Sequence, residues 1–117
     1  MHETAITEAL LDHVREFMPD RGRLVSVRVQ LGALEHIQPE VMATVWEVMT
    51  KDTAFAASIL TFTHVALRVA CQACGNEYEP EDAAILLCPE CGVVRPKVLS
   101  GRGVTLLALD VDEEQHP

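Results

Sequence analysis

The sequence predicts an α+β domain: two helices packed on a small three-stranded sheet, with a zinc-ribbon module inserted before the last strand. Three observations lead there. Two segments in the N-terminal half repeat apolar residues at helical spacing. Three further segments have the alternation or the β-branched composition of strands. Four cysteines form two C-x2-C pairs inside one stretch that breaks the strand pattern.

The first helix is expected from the start of "MHETAITEALLDHV", where Ile6, Leu10, Val14 and Phe17 form one stripe with Leu11 and Met18 beside it. Glu3 and Glu8 lie near its positive end, which suits the helix dipole. "MPDRG" breaks the pattern. In "LVSVRVQL", Val25, Val27, Val29 and Leu31 alternate with Ser26, Arg28 and Gln30, the signature of a half-buried strand over 24–31. A second helix follows in "HIQPEVMATVWEVMTK": Pro39 suits its first turn, and Met42, Val45, Trp46 and Met49 make the inward stripe. The β-rich run over 58–69 reads as the second strand, with room for a bend because neither alternating set is cleanly polar. "VTLLALDV" gives a third strand over 103–111; it is too apolar to hang free. The domain reading is therefore 1–69 plus 99–112 for the α+β body, 70–98 for the zinc-binding module and 113–117 for an acidic tail.

A formal charge of -9 argues against nucleic acid or an anionic membrane as partner, because both reward clustered Lys and Arg. No apolar run approaches the roughly 18–20 residues that span a bilayer. No basic-then-apolar leader is seen, so a cytoplasmic protein is expected, and there paired cysteines read as metal ligands before disulfides.

"CQACG" and "CPECG" place Cys71, Cys74, Cys88 and Cys91 as C-x2-C, thirteen residues, C-x2-C. Each pair turns two thiolates toward one ion, and four thiolates favour a closed, structural zinc site. Iron in a rubredoxin-like site would call for an aromatic shell that is absent here. A redox pair of the thioredoxin kind would need a strand–C-x-x-C–helix context. A nucleic-acid ribbon is disfavoured because Glu77, Glu79, Glu81, Asp82 and Glu90 outnumber Arg95 and Lys97. So short a module folds because metal-binding energy becomes folding energy.

The terminus offers a second donor set. An amine on Met1, the Met1–His2 backbone nitrogen and the His2 ring form fused chelate rings, a nitrogen-rich arrangement suited to nickel(II) or copper(II). Glu3 adds a carboxylate, and Met1 is expected to be retained because His2 is large. The alternative is a solvated, frayed chain end. Among the other histidines, His13 reads as a helix-boundary residue, His36 as a loop residue, His64 as a packed or edge-strand residue and His116 as part of the tail. No glycine-rich phosphate loop, paired carboxylates, serine elbow or cysteine–histidine pair stands out, so no enzyme activity is expected.

"MHE", "VRVQLGALEHIQPEVM", "WEVMTKDT", "CQACG", "CPECG" and "VLSGRGVTLLALDVDE" occur in this order over nearly the whole chain. In this the chain resembles the HypA/HybF family of hydrogenase nickel incorporation proteins. The resemblance implies a nickel metallochaperone for [NiFe]-hydrogenase maturation, and in some organisms for urease. It implies nickel at Met1, His2 and Glu3, with Glu40 as an acidic neighbour, and structural zinc at Cys71, Cys74, Cys88 and Cys91. It implies as partners the HypB GTPase, the hydrogenase large-subunit precursor and, for urease, that enzyme's accessory proteins. "TAITEALLDHV" departs from the family's more usual run after the first residues, which bears on partner choice. The competing expectation is a zinc-ribbon interaction adaptor that transports no metal.

Overall fold

The computed structural model describes residues 2–19, 21–82 and 85–112. Helix α1 (His2–Phe17) leads into strand β1 (Arg23–Gly32), a single 3-10 turn (Ala33–Glu35) and helix α2 (Pro39–Thr50). Five strands follow: β2 (Ile59–Val65), β3 (Arg68–Cys71), β4 (Glu77–Tyr78), β5 (Pro96–Ser100) and β6 (Val104–Asp112). They form two three-stranded sheets, ordered β2-β1-β6 and β4-β3-β5. The chain divides into two compact units. One contains Met1–Gln30, Ile37–Thr63 and Thr105–Pro117; the other contains Leu31–His36 and His64–Val104. The unit that holds the cysteines thus takes in more chain than the 70–98 excursion marked by their spacing.

In the first unit α1 packs on α2. Thr7, Leu10, Leu11 and Val14 are buried from α1, and Met42, Trp46 and Thr50 from α2. The expected stripes are therefore shifted. Phe17, placed on the inner face by periodicity, is 64% exposed, whereas Thr7 is fully buried. Thr7 is accommodated because its hydroxyl donates to the Glu3 carbonyl at 2.6 Å, one turn back; Thr50 does the same to the Trp46 carbonyl at 2.8 Å. The buried Trp46 indole N–H donates to the Ser58 hydroxyl at 3.0 Å, which donates onward to the Phe55 carbonyl at 2.6 Å. No buried side-chain nitrogen or oxygen lacks a partner among the described residues.

Strand β1 departs from strict alternation. Val27, Val29 and Leu31 are buried as expected, but Leu24 is buried in place of Val25, which is 43% exposed. The inward set slips by one residue near the strand's start. Between β1 and β6, Asp110 accepts from the Ser26 hydroxyl at 2.5 Å and from the Arg28 guanidinium at 2.9 and 3.0 Å. These donors, Ser26 first and Arg28 second, hold the Asp110 carboxyl below its usual range. A depressed carboxylate pKa contributes stability above the unfolded value, about 3.9 for aspartate, which is lost as pH falls through the folded one. Asp110→Asn is therefore expected to lower the melting temperature modestly at neutral pH. The difference from the parent should close in acid, where both chains carry a neutral side chain; a gap that persists there would assign the effect to packing instead.

The expected 58–69 strand is divided. Ala66 and Leu67 lie between β2, in the first sheet, and β3, in the second. The break is fixed by a distant segment: the Ser100 hydroxyl donates to the Ala66 carbonyl at 3.0 Å, and Leu67 is buried with Gly101 against its backbone. Strand β4 lies within the 70–98 module, and β5 runs from it into residues expected to belong to the α+β body. Both pair antiparallel with β3, Val69 opposing Tyr78 on one side and Val98 on the other.

Candidate metal centre

Strand β3 ends on Cys71, and its two neighbours bring the rest of the cluster back to it. The two C-x2-C turns have the same backbone plan. Cys71 N–H donates to the Asn76 carbonyl at 2.8 Å while Gly75 N–H donates to the Cys71 carbonyl at 2.8 Å. In the second turn Cys88 N–H donates to Val93 at 3.1 Å and Gly92 N–H donates to Cys88 at 3.0 Å. Gly75 and Gly92 have φ of +80° and +72°, yet a β-carbon on either would meet nothing within 4 Å. Glycine is favoured there by backbone conformation, not by space.

The four sulfur atoms lie within 4.8 Å of one another. Cys71 and Cys91 are separated by 3.6 Å at sulfur, as are Cys74 and Cys88. A tetrahedral zinc with bonds of about 2.3 Å requires sulfur separations of about 3.8 Å. The donor set and its spacing fit a four-thiolate zinc site. The first cysteine of each pair is buried and the second is exposed, so the site is anchored from within and open at its rim.

Electrostatics within the cluster are uneven. Burial works against ionising Cys88, but N–H donation from Cys91 and Glu90, together with the Cys74 thiol, outweighs it and brings the thiol down to about 6. Cys74 receives the Asn76 N–H, which favours its thiolate; burial and the neighbouring sulfurs prevail, and it is pushed up to about 12. A divalent cation at the cluster would displace the remaining thiol protons and let all four sulfurs bind as thiolates. The Asn76 amide, which sequence reasoning passed over, reaches toward the Cys88 sulfur at 4.0 Å. Its signal was its place directly after the turn glycine.

The terminal donor set lies partly outside the described residues: Met1 is not among them. His2 is exposed and is the first residue of α1. Glu3 reaches across to α2, where its Oε2 accepts the Gln38 backbone N–H at 3.3 Å. Gln38 is the extended N-cap residue immediately before Pro39, and its N–H is bonded by the Glu3 side chain. Sequence reasoning missed this link, although Pro39 at the helix start was a signal for it. Glu40 stands two residues further on, exposed in the first turn of α2. The structure thus brings Glu3 to the start of α2, where Glu40 also lies, and adds Gln38. The remaining described histidines stay apart from the cysteine cluster: His13 is exposed 3.8 Å from Glu16, His36 is exposed with φ of 55°, and His64 is exposed on edge strand β2.

Comparison with known proteins gives a consistent answer. The family model described as hydrogenase/urease nickel incorporation, metallochaperone, hypA matches residues 1–111. The hydrogenase maturation factor HypA of Solidesulfovibrio magneticus is 32% identical, over 96% of this chain and 100% of that protein. HypA of Streptomyces avermitilis is 30% identical, over 93% of this chain and 86% of its own. The solution structure of the Ni metallochaperone HypA from Helicobacter pylori shares the fold with a TM-score of 0.64, at 18% identity, over 97% of this chain and 100% of that one. On a match that spans both sheets, both helices and all four cysteines, this chain belongs to the HypA family of hydrogenase and urease nickel-incorporation metallochaperones.

Proposed function

We propose that this protein binds nickel(II) at its N-terminus, through Met1, His2 and Glu3, and delivers it during [NiFe]-hydrogenase maturation. The observation that carries this reading is the Glu3–Gln38 hydrogen bond, which ties the start of α1 to the start of α2. A chelate at residues 1–3 would thereby be mounted on folded structure. The first N–H groups of an α-helix have no carbonyl one turn back. The Met1–His2 backbone nitrogen would join the amine and the imidazole in fused chelate rings at the start of α1. Glu40 adds negative charge near the cation. The resulting site is open to solvent, as metal transfer requires.

Zinc at Cys71, Cys74, Cys88 and Cys91 would tie the two C-x2-C turns together and, with four protein ligands, leave no open coordination position. The protein is accordingly a carrier, not an enzyme. Nucleotide hydrolysis would come from the HypB GTPase, and the hydrogenase large-subunit precursor would receive the metal; urease accessory proteins are the corresponding partners where urease is the client. The place of action is the cytoplasm, in keeping with the absence, among the described residues, of any helix long and apolar enough to cross a membrane.

The test is nickel titration of the untagged protein. His2→Ala is expected to weaken nickel binding by at least about tenfold, the loss of one ligand in a small chelate, and to change the visible spectrum. Adding two residues before Met1 should have a similar effect, whereas His13→Ala should have none. An unchanged affinity and spectrum in His2→Ala would sink the site. Tolerance of the extension would favour the adaptor reading.

A further inference from the structure

The cysteine-bearing unit carries a second feature that metal binding does not use. Beside the second C-x2-C turn lies a groove of about 510 Å³ whose apolar lining includes Tyr78, Ile85, Leu87 and Pro89. Ile85 is 62% and Leu87 50% exposed, so two large aliphatic side chains face water there. The same groove is edged by Glu79, Glu81 and Asp82. Its walls are tied down: the Tyr78 hydroxyl donates to the Leu86 carbonyl at 2.6 Å, and Ile85 N–H donates to the Asp82 carbonyl at 2.9 Å. Pro80 and Pro89 restrict the backbone further.

We infer that this groove docks a partner-protein segment that presents an apolar anchor flanked by Lys or Arg. Exposed aliphatics within a preformed concavity favour an apolar side chain, since the shape costs little ordering on binding. The acidic edge decides the charge of what surrounds that anchor. Arg68 offsets the edge only weakly, lying 3.8 Å from Glu77 and 4.0 Å from Glu79, with all three side chains exposed. Glu81 makes no ion pair among the described residues. A second copy of the chain fits poorly, because it brings a net charge of -9 to an acidic edge. This inference is independent of the nickel site and stands or falls separately from it.

The experiment uses the full zinc-loaded protein and a fluorescein-labelled peptide, Lys-Arg-Leu-Phe-Lys-Arg. Binding is expected in the range of tens of micromolar, typical of a short single-anchor contact, and is expected to weaken with added salt. Amide shifts should concentrate between Tyr78 and Pro89. Glu81→Lys is expected to weaken binding about tenfold through the edge, and Leu87→Ser by a similar factor through the apolar lining. Both residues are exposed, so zinc content and the remaining amide signals should stay as in the parent. A Glu-Glu-Leu-Phe-Glu-Glu peptide should not bind. Equal binding of that peptide, or parental binding by both variants, would overturn the inference. So would a homodimer that Leu87→Ser dissociates, since the groove would then be occupied by a second copy.

Discussion

Replacing Cys71 with alanine should unfold the cysteine-bearing unit and leave the two-helix unit folded. Among the described residues of Leu31–His36 and His64–Val104 the buried aliphatic side chains are Leu31, Leu67 and Val69, joined by Cys71 and Cys88. Three such side chains contribute about 5–9 kcal/mol at the usual 1.5–3 kcal/mol each. Zinc held by the four cysteines would contribute about 10–16 kcal/mol at neutral pH, and so outweigh these buried apolar side chains. Cys71 is also the ligand most embedded in the sheet: it ends β3, opposes Pro96 in β5 and accepts the Gly75 N–H through its carbonyl. The measurements are zinc content and amide dispersion. The parent should hold one zinc per chain. Cys71→Ala should lose it, together with the dispersed signals of β3, β4 and β5, and become sensitive to protease between His64 and Val104. A chelator should produce the same state in the parent. Full dispersion in Cys71→Ala without zinc would show that the strands hold themselves, and would remove the structural role assigned to the metal.

The second large effect is expected at two glycines where backbone meets backbone. Gly32 N–H donates to the Gly103 carbonyl and Leu34 N–H to the Gly101 carbonyl, both at 2.9 Å, while Gly103 N–H donates to Glu35 Oε2 at 2.8 Å. This ladder brings the chains so close that a β-carbon on Gly32 would overlap the Gly101 carbonyl. One on Gly101 would lie 2.6 Å from the Leu67 α-carbon and 2.9 Å from the Ala66 oxygen. Backbone atoms cannot swing aside as a flexible side chain does. Gly32→Ala and Gly101→Ala are each expected to cost about 2–4 kcal/mol, combining overpacking with, at Gly101, a positive φ. Gly103 is the control: its φ of +87° matches the +92° of Gly101, but nothing lies within 4 Å of its β-position. Gly103→Ala should therefore cost only about 1–2 kcal/mol, the conformational part alone. Thermal or urea unfolding of the three variants separates the contributions. Equal losses at Gly101 and Gly103 would assign the whole effect to φ and none to the close approach.

Both predictions mark where sequence reading reached and where it stopped. The α+β class, both helices, the strand at 24–31, the strand at 103–111 and the four-cysteine set were legible because each rests on a local rule. Helical and strand periodicities follow from side-chain geometry along one element, and C-x2-C turns converge whatever surrounds them. The inner face of α1 was less legible. A threonine is buried there and a phenylalanine is not, because a hydroxyl satisfied by its own helix can be buried at little cost, and local spacing does not show which turn meets α2.

What only the tertiary structure decided concerns pairs far apart in the chain. The division of 58–69 into β2 and β3 depends on Ser100 and Gly101, more than thirty residues away; the mixed pattern of "SILTFTHVALRVA" left room for a bend but did not place it. The phase slip at Leu24, the recruitment of β4 and β5 onto β3, and the reach of Glu3 to Gln38 have the same character. The sequence by itself marked the four cysteines that the fold gathers into one cluster, since donor type and spacing are properties of the chain. Where those residues are mounted, and which backbone groups they lean on, was settled by long-range packing: a free N–H or an open glycine acquires its meaning only from the atom placed opposite it.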